Sequence, residues 1–115
     1  MTLLNTYEEY KKVNIELISF TEKLMVNKFE GYEKSKVINT LNKFLNNFET
    51  LKEVSDKIVV EEDNLNNLKD LQYILVSELF LISELIHFYN INELERFRMR
   101  AVNYINNNRR NEILK

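Results

Sequence analysis

With 115 residues, 44% hydrophobic and 30% charged, the chain has room for one domain and enough apolar side chains to fill one core. A net charge of −2 at that hydrophobicity excludes wholesale disorder, and the lack of cysteine excludes disulfides, thiolate metal sites and thiol catalysis. Proline is absent and glycine occurs once, at Gly31, so the turns that sheets need are missing and an all-α fold is expected.

The N-terminal residues carry acids early and lack the basic start and apolar run of a secretory signal, so a cytoplasmic location is expected. Thr6-Tyr7-Glu8-Glu9 has the pattern of a capping box and is expected to open helix one. Tyr10, Val13, Leu17, Phe20 and Leu24 follow at alternating steps of three and four, which makes one apolar stripe. Gly31 is the expected stop, because glycine accepts the left-handed conformation that closes a helix.

Helix two is expected from about Tyr32 or Ser35 to about Val60. Val37, Leu41, Phe44, Phe48, Leu51, Ser55 and Ile58 form its seam, and Ile38, Leu45, Val54 and Val59 widen it. Asn39, Asn42, Lys43, Asn46, Glu49, Glu53 and Asp56 form its wet side. After a short acidic connection, Asp63 or Asn64 is expected to cap helix three, which would run to about Tyr89. Asn90-Ile91-Asn92 breaks the pattern, and Asn92 with Glu95 gives a weaker capping signal for helix four. That helix places Leu94, Phe97, Ala101, Tyr104 and Ile105 on one side, while residues 106–115 read as a basic tail that frays. The expectation is a compact antiparallel bundle of three long helices and a shorter fourth, rather than an extended coiled coil, because the stripes are wider than a two-position seam.

Tyr73–Tyr89 is the longest apolar stretch, but Glu78, Glu84 and His87 interrupt it. A carboxylate at the bilayer centre costs about 2.5–3.5 kcal/mol, so a buried helix is expected and no membrane partner. On a helical wheel one broad half of helix three holds Leu71, Ile74, Leu75, Leu79, Leu81, Ile82, Leu85, Ile86, Phe88 and Tyr89. The opposite half should be wet, yet Tyr73, Val76 and Phe80 lie there beside Glu84 and His87. Either helix four or the N-terminal segment covers Phe80, or that face awaits a partner. Glu78 falls inside the apolar half, where a lone carboxylate must be paired, hydrogen-bonded or protonated. It reads as a core carboxylate satisfied by a lysine or tyrosine, as one at a solvated bundle end, or as a polar key that fixes helix register or grips a basic residue of a partner.

Glu84-Leu85-Ile86-His87 has the Glu-x-x-His spacing of di-iron bundles, but the chain has a single histidine and such sites need two of these motifs. No metal or other cofactor is expected. One histidine, no cysteine and one glycine leave no phosphate loop, nucleophile elbow or Ser-His-acid set, and Glu78 and Glu84 point about 120° apart, so catalysis is not expected.

All five arginines lie within residues 96–110. Residues 96–115 carry five Arg and Lys115 against Glu112, a net +5, whereas residues 1–95 carry ten Lys against seventeen acids, a net −7. The leading expectation is a non-enzymatic protein-binding module using Tyr73, Val76, Phe80, Glu84, His87, Arg96 and Arg100. A nucleic-acid regulator using Arg96, Arg100, Arg109 and Arg110 is the alternative, and a structural homo-oligomer is a third. Single alanine usage with abundant Asn, Lys and Ile further suggests an AT-rich source such as a low-GC bacterium, its phage or its plasmid.

Overall fold

Four α-helices make up the fold: α1 (Leu3–Val26), α2 (Lys34–Asp56), α3 (Leu65–Asn90) and α4 (Leu94–Leu114), with a single 3₁₀ turn at Glu62–Asn64 leading into α3. The structure is a computed structural model and describes the backbone of residues 2–114 and the side chains of residues 2–108. No strand occurs among the described residues, and the chain is the all-α helical bundle its composition predicts. At 21 residues α4 is the shortest helix, though only slightly shorter than the 23 of α2, because helix continues through the asparagine-rich segment.

The helices alternate in direction. Lys34 at the start of α2 donates to the carbonyl of Asn90 at the end of α3 (2.6 Å), and Gln72 early in α3 donates to the carbonyl of Ser55 late in α2 (3.2 Å). Glu84 of α3 meets Arg100 of α4, and Phe20 of α1 meets Phe44 of α2, so each sequence neighbour is antiparallel. α3 is the hub: it packs on α2, α4 and α1, whereas α2 and α4 make no contact among the described residues.

Four ends differ from the sequence expectation. Thr2, rather than Thr6, is the N-cap of α1: its hydroxyl accepts from the Asn5 amide (3.1 Å). Thr6 is buried inside the helix, with its hydroxyl donating back to the Thr2 carbonyl (2.8 Å). α1 also stops at Val26, five residues before Gly31. A Schellman closure ends it there, with Phe29 N–H on the Leu24 carbonyl and Lys28 N–H on the Met25 carbonyl. Lys28 and Phe29 themselves take positive φ (54° and 62°), ahead of Gly31 at 82°. Phe29 holds this unfavourable conformation because its ring packs edge-on against Phe97 (5.5 Å) and beside Tyr89, plugging one end of the core.

Asn92 likewise does not cap α4. It sits at φ 59° and closes α3 through a second Schellman pair, Glu93 N–H on the Phe88 carbonyl and Asn92 N–H on the Tyr89 carbonyl. At the start of α3, Asn64 occupies the N-cap but makes no side-chain capping bond. α2 ends at Asp56, so Val59, expected to widen its stripe, lies beyond the helix and is almost fully exposed.

The core follows the predicted stripes. Tyr10, Val13, Leu17 and Leu24 of α1 join Val37, Leu41, Phe44, Phe48 and Leu51 of α2 in one cluster with Leu71, Leu75, Leu81, Ile82, Leu85 and Tyr89 of α3 and Phe97 and Ala101 of α4. The segment Glu62–Asn90 is long and apolar enough, by length and composition, to cross a membrane; it is also the helix around which the other three pack.

Candidate functional site

α3 carries both candidate sites, on different sides. Its outward side is open. Tyr73 is 74% and Phe80 66% exposed, so neither α4 nor the N-terminal segment covers Phe80. Val76 between them is half-buried, and Ser77, Ser83, Glu84 and His87 are exposed. Tyr73, Phe80 and His87 are seven residues apart, a spacing that keeps side chains on one line along a helix for roughly 21 Å. Beside Tyr73 a groove of about 810 Å³ opens between α1 and α3, lined by Leu3, Leu4, Tyr7, Leu71 and Ile74 with Asn64, Asn67 and Asp70 among its polar residues.

The arginines stand differently from one another. Arg100 pairs with Glu84 (3.3 Å), and Arg98 pairs with Glu95 (3.4 Å) as its i,i+3 spacing predicts. Arg96 is exposed and has no ion-pair partner among the described residues, although Glu93 stands at the same spacing. The side chains of Arg109 and Arg110 lie outside the described residues. Thus Tyr73, Phe80, Glu84, His87 and Arg96 all stand at the surface, with Arg100 and Val76 half-buried. Among the described residues no three His, Asp or Glu side chains gather as ligands to a metal would.

The inward site is centred on Glu78, which is 3% exposed. Two tyrosine hydroxyls reach its Oε1: Tyr10 from α1 (3.5 Å) and Tyr104 from α4. Tyr104 also stands within hydrogen-bonding reach of Asn14 Oδ1, one turn after Tyr10 on α1. Oε2 of Glu78 is buried and has no hydrogen-bond partner among the described residues. Burial is the main reason that the Glu78 carboxyl is pushed up to about 7; the two tyrosine hydroxyls and the Arg100 charge pull the other way. Burial likewise pushes both phenols up, so they remain donors at any ordinary pH. The sequence reading of Glu78 as a core carboxylate satisfied by tyrosine is therefore half met: one oxygen is served and the other is not.

A cavity of about 260 Å³ adjoins this cluster, lined by Tyr7, Tyr10, Lys11, Asn14, Ile74, Glu78 and Tyr104 among others. Tyr7 and Ile74 line the larger groove as well, so the two openings are neighbours along α1. The sequence did not single out Tyr10, Asn14 or Tyr104 as a group, since they lie on two helices separated by ninety residues. The one available signal was Asn14 on the flank of an otherwise apolar stripe.

Comparison of the chain with protein-family models, with curated proteins and with solved structures finds no match.

Proposed function

We propose that this chain is a non-catalytic, water-soluble binding module of the cytoplasm that docks a separately folded protein on the outward face of α3. The observation that carries the reading is the pair Tyr73 and Phe80, two large rings seven residues apart and mostly in solvent on a helix whose other sides are packed. Two covered rings and their surroundings supply on the order of 300–500 Å² of apolar contact. That is well below one partner's share of the roughly 2,000 Å² and more that obligate homodimers bury, and it suits a small, reversible contact. The heptad spacing suits a helix of the partner laid along α3. Arg96, exposed on α4, supplies a cation that would steer an acidic partner surface towards the chain. Glu84 on the open face speaks for a protein neighbour rather than a bilayer, where it would cost about 2.5–3.5 kcal/mol at the centre. Inhibitors, immunity factors, antitoxin-like factors and assembly chaperones of mobile elements are roles such a module fills.

Quantitative cross-linking and capture from the source cells tests it, with Phe80→Asp against the exposed control Val59→Asp. A stoichiometric protein partner should be lost with Phe80→Asp and kept with Val59→Asp, with the helical circular dichroism unchanged in both. A partner that survives Phe80→Asp places the interface elsewhere. Retention on DNA or RNA with a steep salt dependence, abolished by removing residues 106–115, would replace the proposal with the nucleic-acid reading. Concentration-dependent self-association lost with Phe80→Asp would replace it with the homo-oligomer.

A further inference from the structure

The larger opening, the groove of about 810 Å³ between the first turns of α1 and α3, is walled mainly by apolar side chains. Leu3, Leu4 and Tyr7 come from α1, and Leu71, Tyr73 and Ile74 from α3. Leu4 and Tyr73 are mostly exposed, so apolar surface at this opening stays in water. Among the polar lining residues, Asn64 and Asn67 are turned towards each other, the Asn67 amide donating to Asn64 Oδ1 (3.5 Å). Asp70 differs from them. It is the charged residue among the groove's described lining residues, it is exposed, and it makes no ion pair or side-chain hydrogen bond among the described residues.

We propose that this groove binds a small organic cation with an apolar body, the body lying on Leu4, Leu71, Ile74 and the tyrosine rings and the ammonium facing Asp70. The site needs no partner on the outward face of α3, with which it shares Tyr73. Its volume falls within the roughly 300–1,000 Å³ of pockets for drug-sized ligands, and apolar walls with few polar groups are what such pockets present. Charge selects the sign of the ligand. Residues 61–70, which lead into and begin α3, carry Glu61, Glu62, Asp63 and Asp70 against Lys69 alone. The N-termini of α1 and α3 would by themselves favour an anion, but that pull fades within a turn, and Glu62 and Asp63 already stand at the start of α3. The rings add cation–π attraction. Tyr7 already has Lys11 Nζ over its face (4.9 Å), whereas Tyr73 has no ring contact among the described residues.

Two cations of the chain itself compete for Asp70. Lys69 is its neighbour in sequence, yet the two form no ion pair. The basic C-terminal end is the stronger rival. α4 runs antiparallel to α1 and α3 and continues as helix for roughly 15 Å beyond Tyr104, towards the end of the bundle where the groove opens. Residues 109–115 contain Arg109, Arg110 and Lys115, whose side chains lie outside the described residues. The helix backbone through Leu114 nevertheless leaves Leu4 and Tyr73 mostly exposed, which favours a separate ligand.

Amide-resolved NMR titration of the full chain with naphthylmethylamine, naphthylmethanol and naphthoate tests the site, because the three share a ring system and differ in charge. Shifts should gather at the amides of Leu4, Asn67, Asp70 and Tyr73. The amine should bind about fivefold more tightly than the alcohol, and naphthoate most weakly. Asp70→Asn should bring the amine down to the alcohol and leave the alcohol within about twofold, while Glu84→Gln, an exposed carboxylate on the same helix, should change neither. Leu4→Asn should weaken amine and alcohol alike, since it removes apolar wall and no charge. Asp70 and Leu4 are both exposed, so the helical circular dichroism of these variants should match that of the wild type. Naphthoate binding as tightly as the amine, a preference for the amine that survives Asp70→Asn, or no shifts at the groove with millimolar amine overturns the proposal. Binding seen only after the chain is ended at Asn108 also overturns it, and makes the C-terminal segment the occupant of the groove.

Discussion

The two flanks of α3 differ in how completely their polar atoms are served. Towards α2 the contact is dry and apolar, and the polar groups that enter it are bonded: Ser55 donates to the Lys52 carbonyl (2.7 Å), and Gln72 reaches the Ser55 carbonyl. Towards α1 and α4 the same helix presents the Glu78 carboxylate, which meets an amide and a phenol of α1 and a phenol of α4 yet keeps one oxygen without a partner among the described residues, beside open grooves. Stability is thus concentrated on one flank, and the chemistry that needs completing on the other. A helix hub can tolerate that division because an apolar seam offsets an imperfect polar one.

The largest expected effect tests the dry flank. Phe48 is fully buried at the centre of the α2 seam and packs its ring near Tyr10 (6.2 Å). Phe48→Ala should cost about 3–5 kcal/mol in urea unfolding, a large share of what a domain of this size has to lose. Tyr104→Phe, on the other flank, removes one hydroxyl from the cluster around Glu78. If the loss there equals that of Phe48→Ala, the division between the flanks is wrong.

The next effect is a pH dependence with a definite sign. Glu78 is raised from 4.5 to about 7 in the fold, so the folded state holds a proton that the unfolded chain releases at lower pH. The resulting stability is fully present below about pH 4.5 and is lost as pH rises through about 7, on the order of 3 kcal/mol in all. Unfolding measured at steps from about pH 5 to pH 8 should therefore show the wild type weakening with pH relative to Glu78→Gln, in which that slope is absent. A wild type that gains stability over Glu78→Gln across this range would mean that Glu78 is ionised and fully paired.

Sequence made most of the architecture legible. The stripes Tyr10–Leu24, Val37–Leu51 and Leu71–Tyr89 are the core because burial follows the helical period, which any chain displays in its pattern. Helix ends were less legible. Lys28, Phe29 and Asn92 take positive φ through hydrogen bonds and ring packing made only once the helices are assembled, and Gly31 was the more obvious candidate. The open face of α3 was visible as Tyr73, Val76 and Phe80 on the wrong side of the wheel, but whether α4 would cover Phe80 depended on a crossing geometry that periodicity does not contain. Glu78 stood out alone, because a carboxylate in an apolar stripe is visible in one dimension. Its partners did not, because Tyr10, Asn14 and Tyr104 meet only through the topology.

Tyr104→Phe follows at about 1–2 kcal/mol, since it removes the one hydroxyl proton within reach of both Glu78 and Asn14, and Thr21→Val is the matching control on α1. Thr21 is the more buried of the two, but its hydroxyl bonds the Ile18 carbonyl of its own helix (2.9 Å), so its loss touches no hydrogen bond across the bundle. Urea unfolding of both variants separates a cross-helix network from ordinary local satisfaction. Comparable losses in both would mean that the cluster contributes no more than any buried hydroxyl.

The smallest effect asks whether the arginine-rich helix acts only outward. Arg100 pairs with exposed Glu84, a pair worth at most about 1 kcal/mol, so Glu84→Gln should barely move the unfolding midpoint. Yet the same guanidinium also lowers the proton affinity of Glu78 from the other side. Arg100→Gln should therefore raise the Glu78 titration midpoint, followed through its carboxyl carbon by NMR, while stability near pH 5, where Glu78 is already protonated, stays within about 1 kcal/mol of wild type. Glu84→Gln removes a competing anion and should lower that midpoint or leave it unchanged. Opposite shifts from two partners of one surface ion pair would tie the outward charge of α4 to the buried carboxylate. A midpoint indifferent to both would confine Arg100 to the surface, and the two flanks of α3 would then be electrostatically separate.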